Sequence, residues 1–232
     1  MIYNIFSLIF KIITSIAFIF FFSFQSLSSD FTQAWINASP SVVSVLPTWP
    51  GFKKPGFGAP AGTAPEGSGV IISNQGLIVT ASHVISRATE VLIRDIKGNK
   101  YEAEIVFNDP KTDLAMLKAG INNSKIKIEL SRPKIGSRIC LISNSFGLDI
   151  NITCGVISSN KVSGIGFNPL EDFIQIDAAA NPGSSGGAVV NDKGELVGIM
   201  SGIFTKQSDT NVGVNFAISS ELLLKTTNHL LK

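Results

Sequence analysis

At 232 residues, with 44% apolar and 16% charged side chains, the chain has ample material for a buried core and is far too apolar for a disordered protein. Nineteen basic against 17 acidic residues leave a formal net charge of +2, and no basic cluster of the kind nucleic acid requires is present; the lysine pair in "FKKPG" reads as a solvated loop tip. Two cysteines and two histidines, without ligand spacing, exclude a disulfide scaffold and a metal centre, so no metal and no cofactor is expected.

The first segment is apolar. Lys11 precedes the stretch Ile12 to Phe24, in which only Thr14, Ser15 and Ser23 are polar. That length suits the core of a secretory signal, whereas a membrane span needs about 20 residues. Ser26 and Ser28 supply small residues at a cleavage spacing. Residues 1–28 therefore read as a signal peptide, with an uncleaved membrane anchor as the alternative. Either way residues 29–232 lie outside the cytoplasm, in the periplasm or secreted, with a membrane tether if the segment is retained.

Next, "SDFTQAWINASPS" predicts a short helix capped by Ser29 or Asp30 and ended by Pro40. "SVVSVL" alternates as a strand does, and residues 47–67, dense in proline and glycine, read as a loop. From Ser68 onward come short β-branched runs: "GVIIS", "GLIVTA", "EVLIRD", "YEAEIVF", "DLAMLKA", "SRICLIS", "NITCGVISS", "DFIQIDA", "GAVVN", "ELVGIMSGI" and "VNFAIS". Joined by "NQG", "KGN", "NDP" and "NDKG", they predict an all-β fold of antiparallel barrels or a sandwich. Helical spacing returns only at residues 219–231, where Leu222, Leu223, Leu230 and Leu231 can share a face. In "RICLISNSFGLDINITCGV" two strands join at "FGLD", which sets Cys140 and Cys154 opposite each other across the ladder. In an oxidising compartment they are expected to form a disulfide, with a pair of buried thiols as the alternative.

The chemistry gathers around "NPGSSGGAVVN". Gly183, Gly186 and Gly187 surround two serines just before a strand, which suits a backbone that passes close to something with its N–H groups free. Alone, the stretch reads as a hairpin turn with solvated hydroxyls. A serine nucleophile needs a base, and His83, where "GLIVTASHVI" leaves its strand, is the candidate; His229, near the chain end, reads as an exposed side chain. The imidazole needs a partner to fix its tautomer. Asp113, opening "DLAMLKA", fits; Asp109 before Pro110 is a turn residue, and Asp177 suits a loop-bracing role.

Together, "GSGVIIS…GLIVTASHVI", "TDLAMLKA", "FIQIDAAANPGSSGGAVVNDKGELVGI" and "GVNFAIS" resemble successive landmarks of the HtrA (DegP-like) serine proteases, from about Ser41 to Ser220. The resemblance implies the chymotrypsin fold: two antiparallel six-stranded β-barrels, about 41–120 and 122–219, with a short N-terminal and a C-terminal helix. It implies His83 as base, Asp113 as orienter and Ser185 as nucleophile, with the N–H groups of Gly183 and Ser185 as an oxyanion hole. Pro182 and Ser184 depart from the family, which often has a basic residue and an asparagine there. After Ser220 too few residues follow for the PDZ modules many members carry.

The implied function is a serine endopeptidase acting on unfolded exported polypeptides, in a family that often trimerises through its N-terminal segment, where Phe31 and Trp35 are aromatic candidates. In this fold Ala179 floors the substrate pocket beside Ala180; Met200 and Phe216 lean in, and substrate pairs against Ser201 and Gly202. With no carboxylate at the floor, small or medium aliphatic side chains are expected before the cut. A catalytically inactive chaperone or binding scaffold on the same fold is the alternative. An esterase is disfavoured: "GSSGG" spells G-x-S-x-G, but the histidine precedes the serine and strands surround it.

Overall fold

The computed structural model describes residues 31–52, 65–122, 124–205 and 211–231. The segment read as a signal or anchor, and the cap candidates Ser29 and Asp30, lie outside the described residues. Among the described residues, no helix is long and apolar enough to cross a membrane.

Among the described residues, twelve strands close into two antiparallel barrels. The first is built from β1 (Val42–Thr48), β2 (Gly67–Ile71), β3 (Leu77–Ala81), β4 (Glu90–Arg94), β5 (Lys100–Asp109) and β6 (Leu114–Ala119), in the order β1-β2-β3-β6-β5-β4. The second is built from β7 (Arg138–Ser143), β8 (Asn151–Val162), β9 (Phe173–Ile176), β10 (Ala188–Asn191), β11 (Leu196–Thr205) and β12 (Asn211–Ser219), in the order β10-β11-β12-β9-β8-β7. Closure leaves neither sheet a full-length free edge; only the end of β11 beyond Met200 lacks a partner on its β10 side among the described residues. Two boundaries differ from the sequence reading. Strand β1 takes in Pro47 and Thr48, which pair with Val91 and Glu90 of β4, and β2 begins at Gly67. Ladder pairing thus extends strands into what composition marked as loop.

Side-chain alternation explains why so many strands read as continuous apolar runs. Val43, Val45, Ile78, Ala115 and Leu117 point into the first barrel. Their neighbours Val42, Leu77, Val79, Leu114 and Met116 point outward into a cluster shared with Cys140, Ile142, Ala188, Val190 and Ile199 of the second barrel. Ile139, Leu141, Val189, Val197 and Ala217 fill the second interior. Strands buried on both faces are the consequence, and they glue the barrels at a common seam where β1 and β2 meet β7, and β3 meets β11.

Helix α1 (Thr32–Ala38) starts at Phe31 without a side-chain cap and buries Ala34 and Ala38 against the shared cluster. After the four-residue turn of helix α2 (Ser82–Ile85), the next α-helix among the described residues is α3 (Ser220–Thr227). Ser219 caps α3 by accepting the Leu222 N–H, with Glu221 in its first turn and Lys225 in its last, as the helix dipole favours. Leu223 is buried under it, while Leu222, Leu230 and Leu231 pack more loosely on the same cluster.

Candidate active site

Three loops converge at the seam. His83 sits in α2 immediately after β3, Asp113 is the last residue before β6, and Ser185 lies just ahead of β10. The imidazole Nδ1 lies 2.9 and 3.0 Å from the two Asp113 carboxylate oxygens, and Nε2 lies 2.9 Å from Ser185 Oγ. The Asp113 carboxylate also accepts the His83 backbone N–H at 3.0 Å, and the Asp113 carbonyl accepts the Ser82 N–H at 2.9 Å. Three contacts therefore fix Asp113 to His83 and a fourth fixes it to the adjoining Ser82. Asp113 is buried, whereas half of the His83 side chain is exposed, so the carboxylate is screened from water and the imidazole is accessible.

Asp113 holds φ at +59°, a left-handed conformation uncommon for a non-glycine residue and often kept where function needs it. The hydrogen bonds to His83 and Ser82 hold it there. Asp109 accepts the Lys111 N–H and the Thr112 hydroxyl, as a turn residue does. Asp177 accepts the Val156 N–H from β8, bracing the loop that leads to the serine.

The serine loop is held from both barrels. Ser68 of β2, fully buried, donates its N–H to the Ser185 carbonyl at 2.8 Å and its hydroxyl to the Gly183 carbonyl at 2.7 Å. The Asn144 N–H, from the β7–β8 loop, donates to the Ser68 hydroxyl. Ser68 was invisible to sequence reasoning, which saw only a strand residue. Two glycines are forced by the approach. At Gly183 φ is +95° and a Cβ would lie 2.3 Å from the Asn144 carbonyl oxygen; at Gly186 φ is +83° and a Cβ would lie 2.1 Å from the Ser68 carbonyl oxygen.

The orientation of the 182–183 peptide follows from one contact. The Phe146 N–H donates to the Pro182 carbonyl at 2.7 Å. A trans peptide sets C=O and N–H on opposite sides, so the Gly183 N–H points away from Phe146. Neither that N–H nor the Ser185 N–H has a hydrogen-bond partner among the described residues. Two unpaired donors beside a hydroxyl are what an oxyanion requires.

Ser184, next to the partly exposed nucleophile candidate, is buried instead. Its hydroxyl meets those of Ser145 at 2.9 Å and Ser143 at 3.1 Å, and accepts the Asn181 N–H at 3.2 Å. The two adjacent serines thus have opposite surroundings.

The substrate-side residues are dispersed. Ala179 is exposed, and its carbonyl accepts the Thr153 hydroxyl at 2.7 Å. Ala180 and Met200 are buried in the interior of the second barrel. Phe216 does not accompany Met200, contrary to the sequence reading. It is one residue out of phase with inward-facing Ala217, so its ring lies on the outer face of β12, where Phe167 and Phe173 pack on it. Strand β11 bulges between Met200 and Gly202, leaving Ser201 unpaired with β12. The bulge aims the Ser201 hydroxyl at Asp113 Oδ2, 2.6 Å away, so its side chain serves the carboxylate and only its backbone faces the cleft. Beside Gly202, the Phe167 ring lies 2.9 Å from where a Cβ would stand. Phe167 arrives from the β8–β9 loop, and no local pattern marks it. Cys140 and Cys154, paired across β7 and β8, are joined by a disulfide.

Two closed antiparallel barrels with histidine, aspartate and serine hydrogen-bonded in series at their seam define the chymotrypsin-type serine protease class. A trypsin-like peptidase domain model matches residues 67–199, and the chain belongs to that family, with HtrA-type proteases as its relatives. It is 39% identical over 170 residues to a probable periplasmic serine endoprotease, DegP-like, of Buchnera aphidicola, covering 72% of this chain and 36% of the relative. It is 38% identical over 172 residues to the periplasmic serine endoprotease DegP of Escherichia coli, with the same coverage. The chain thus spans about a third of the length of these relatives. Among solved structures, the HtrA-type protease AlgW with tripeptide superposes with a TM-score of 0.78 at 34% identity, covering 88% of this chain and 64% of that one.

Proposed function

We propose that the protein is a serine endopeptidase of the periplasm that cleaves unfolded polypeptides after small or medium aliphatic side chains. The observation that carries this is the unbroken hydrogen-bonded series from Asp113 through His83 to Ser185, beside the unpaired N–H groups of Gly183 and Ser185.

Ser185 Oγ attacks the scissile carbonyl as its proton passes to His83 Nε2. The Nδ1–H stays hydrogen-bonded to Asp113, which stabilises the imidazolium without taking the proton. The carbonyl oxygen, now negative, is received by the two N–H groups, each donor being worth about 2.7–4 kcal/mol in such sites. His83 then returns the proton to the leaving amine, and water repeats the sequence to free Ser185 from the acyl group.

Substrate preference rests on two features. Ala179 and Ala180 carry no charge, so a lysine or arginine side chain would enter without a partner. Beyond Met200, strand β11 has no ladder partner on its β10 side among the described residues, leaving backbone at Ser201 to Ile203 for an added strand. A strand is available only in an unfolded chain. The periplasmic location is supported by the printed names of the relatives and by the apolar N-terminus. Trimerisation through the N-terminal segment stays part of this reading, although Phe31 and Trp35 already pack partly on the protein's own core.

Labelling with a fluorophosphonate, combined with mass spectrometry of peptides released from an unfolded protein, tests the reading. Label on Ser185 and cuts after valine, alanine, isoleucine or leucine are expected. An unlabelled protein that releases no peptides would sink it, and a profile dominated by cuts after lysine or arginine would refute the pocket.

A further inference from the structure

We infer that Glu66, held by Arg94, is a positioning residue for the oxyanion-binding N–H of Gly183, acting through the loop between β7 and β8. The inference rests on the peptidase reading above and extends it to residues that touch neither substrate nor triad.

The contacts form a continuous path. The Arg94 guanidinium, on β4, is 3.1 Å from Glu66 Oε2 and 3.0 Å from Asp149 Oδ1. Glu66 Oε2 accepts the side-chain N–H of Asn144 at 2.6 Å. Asn144 is fully buried, and its Oδ1 has no hydrogen-bond partner, so Glu66 is the only polar anchor of that side chain among the described residues. The Asn144 carbonyl lies under Gly183, and two residues on, the Phe146 N–H fixes the Pro182 carbonyl. That bond sets the direction of the Gly183 N–H. Barrel one therefore reaches the oxyanion peptide through a loop that belongs to barrel two.

The loop would not rest in this shape unaided. Phe146 holds φ at +59° and Asp149 at +72°, and both are non-glycine residues in the left-handed region. Phe146 is half exposed, so packing on its ring is not what keeps it there. Side-chain tethers from the first barrel sit at the two ends, Glu66 on Asn144 and Arg94 on Asp149, beside the backbone bond of Asn144 to Ser68 and the contact of Ser145 with Ser184. Glu66 also stands two residues before Ser68, on the same side of the chain, so neighbouring positions hold the serine loop and the loop that orients it. With Glu66 removed, Asn144 loses its side-chain anchor and keeps only its backbone bond to Ser68, so Phe146 can relax and the Pro182 carbonyl is held less firmly.

The test separates orientation from folding. Glu66→Ala should lower kcat by about 10-fold or more, short of the 10²–10³ seen when an oxyanion donor is deleted outright, while KM stays near wild type. Affinity for a peptide aldehyde, whose adduct with Ser185 needs the oxyanion donors, should fall in parallel. Affinity of the same peptide as a free acid for the Ser185→Ala background should not fall. Glu66→Gln, which keeps a bond to Asn144 and loses the ion pair with Arg94, should show a smaller fall of the same kind and covers the case in which the alanine variant fails to fold. Unchanged kcat and aldehyde affinity in both variants would overturn the inference, as would equal losses in aldehyde and free-acid affinity. A crystal structure of either variant reads the 182–183 peptide without any turnover: a Pro182 carbonyl released from Phe146 supports the inference, and an intact bond overturns it. Failure of the peptidase reading would instead show as a wild-type protein that hydrolyses nothing.

Discussion

Ser201 donates its hydroxyl to Asp113 Oδ2 at 2.6 Å, from a bulge in β11, on the carboxylate oxygen that is also 2.9 Å from His83 Nδ1. The carboxylate that holds the His83 imidazole is thus itself held by a residue from the other barrel. Closing the seam and aligning the proposed triad are one event.

Ser201→Ala should therefore lower kcat severalfold while leaving the protein folded. One hydrogen bond to a charged group is worth about 1.5–3 kcal/mol, and the remaining contacts from His83 keep Asp113 in place. Kinetics on a peptide substrate, with circular dichroism as the folding check, decide it. Unchanged kcat would mean the hydroxyl adds nothing to the carboxylate.

The adjacent serines should behave differently for physical reasons. Ser185→Ala should abolish proteolysis, and His83→Ala should be nearly as damaging, because members of a triad act as a unit. Ser184→Ala should retain the chemistry but lose stability. Its hydroxyl is buried against Ser143, Ser145 and the Asn181 N–H, and leaving such groups unpaired costs about 1–3 kcal/mol. Thermal melts and turnover measured on the same samples separate the two effects. Full proteolysis by Ser185→Ala would overturn the assignment.

How much of this could be read from the chain depends on the distance over which each feature is set. The strands, the turn at Asp109, the bracing Asp177 and the pairing of Cys140 with Cys154 follow from alternation and turn residues within a few positions. His83, Asp113 and Ser185 were singled out by the resemblance of the motifs around them to one family, and the structure brings the three within hydrogen-bonding distance. Ser68, Glu66 and Phe167 were not legible. A buried strand serine, a glutamate ending a proline-rich loop and a phenylalanine in a glycine-rich loop acquire their roles from partners far along the chain, such as Gly183, Asn144 and Gly202. Phe216 was misplaced because a one-residue change of phase moves a side chain to the other face of a strand.

The disulfide should stabilise the second barrel rather than the chemistry. It closes a loop with a sequence separation of 14, for which chain entropy gives about 3 kcal/mol as an upper figure, since β7 and β8 already hold the hairpin closed. Replacing both cysteines by serine, or reducing the protein, should lower Tm by several degrees and leave kcat nearly unchanged at 25 °C. A large loss of turnover with unaltered Tm would contradict this, and would tie the hairpin to the adjoining β7–β8 loop instead.

The last prediction concerns acid and the loop that carries Phe167. Burial alone would raise the pKa of Glu171, but N–H groups of Asn168, Ile165, Phe167 and Gly164 converge on its carboxylate and hold it below the usual glutamate range. A depressed folded-state pKa means that the ionised form supports the folded loop. That support is complete above the ordinary glutamate value of about 4.3 and is lost as pH falls through the lowered value. Phe167 rides on this loop, its own N–H 2.6 Å from Glu171 Oε1 and its ring beside Gly202 at the open part of β11. Acidification below about pH 4 should therefore loosen residues 164–168 before the barrels melt, because β-ladders do not depend on this carboxylate. Hydrogen exchange should rise first at Ile165, Phe167 and Asn168. Glu171→Gln should show the faster exchange already at neutral pH and weaken the preference for apolar residues upstream of the cut, as Phe167→Ala should. Exchange at those amides that is unaffected by pH and by Glu171→Gln would show that the carboxylate does not order the loop.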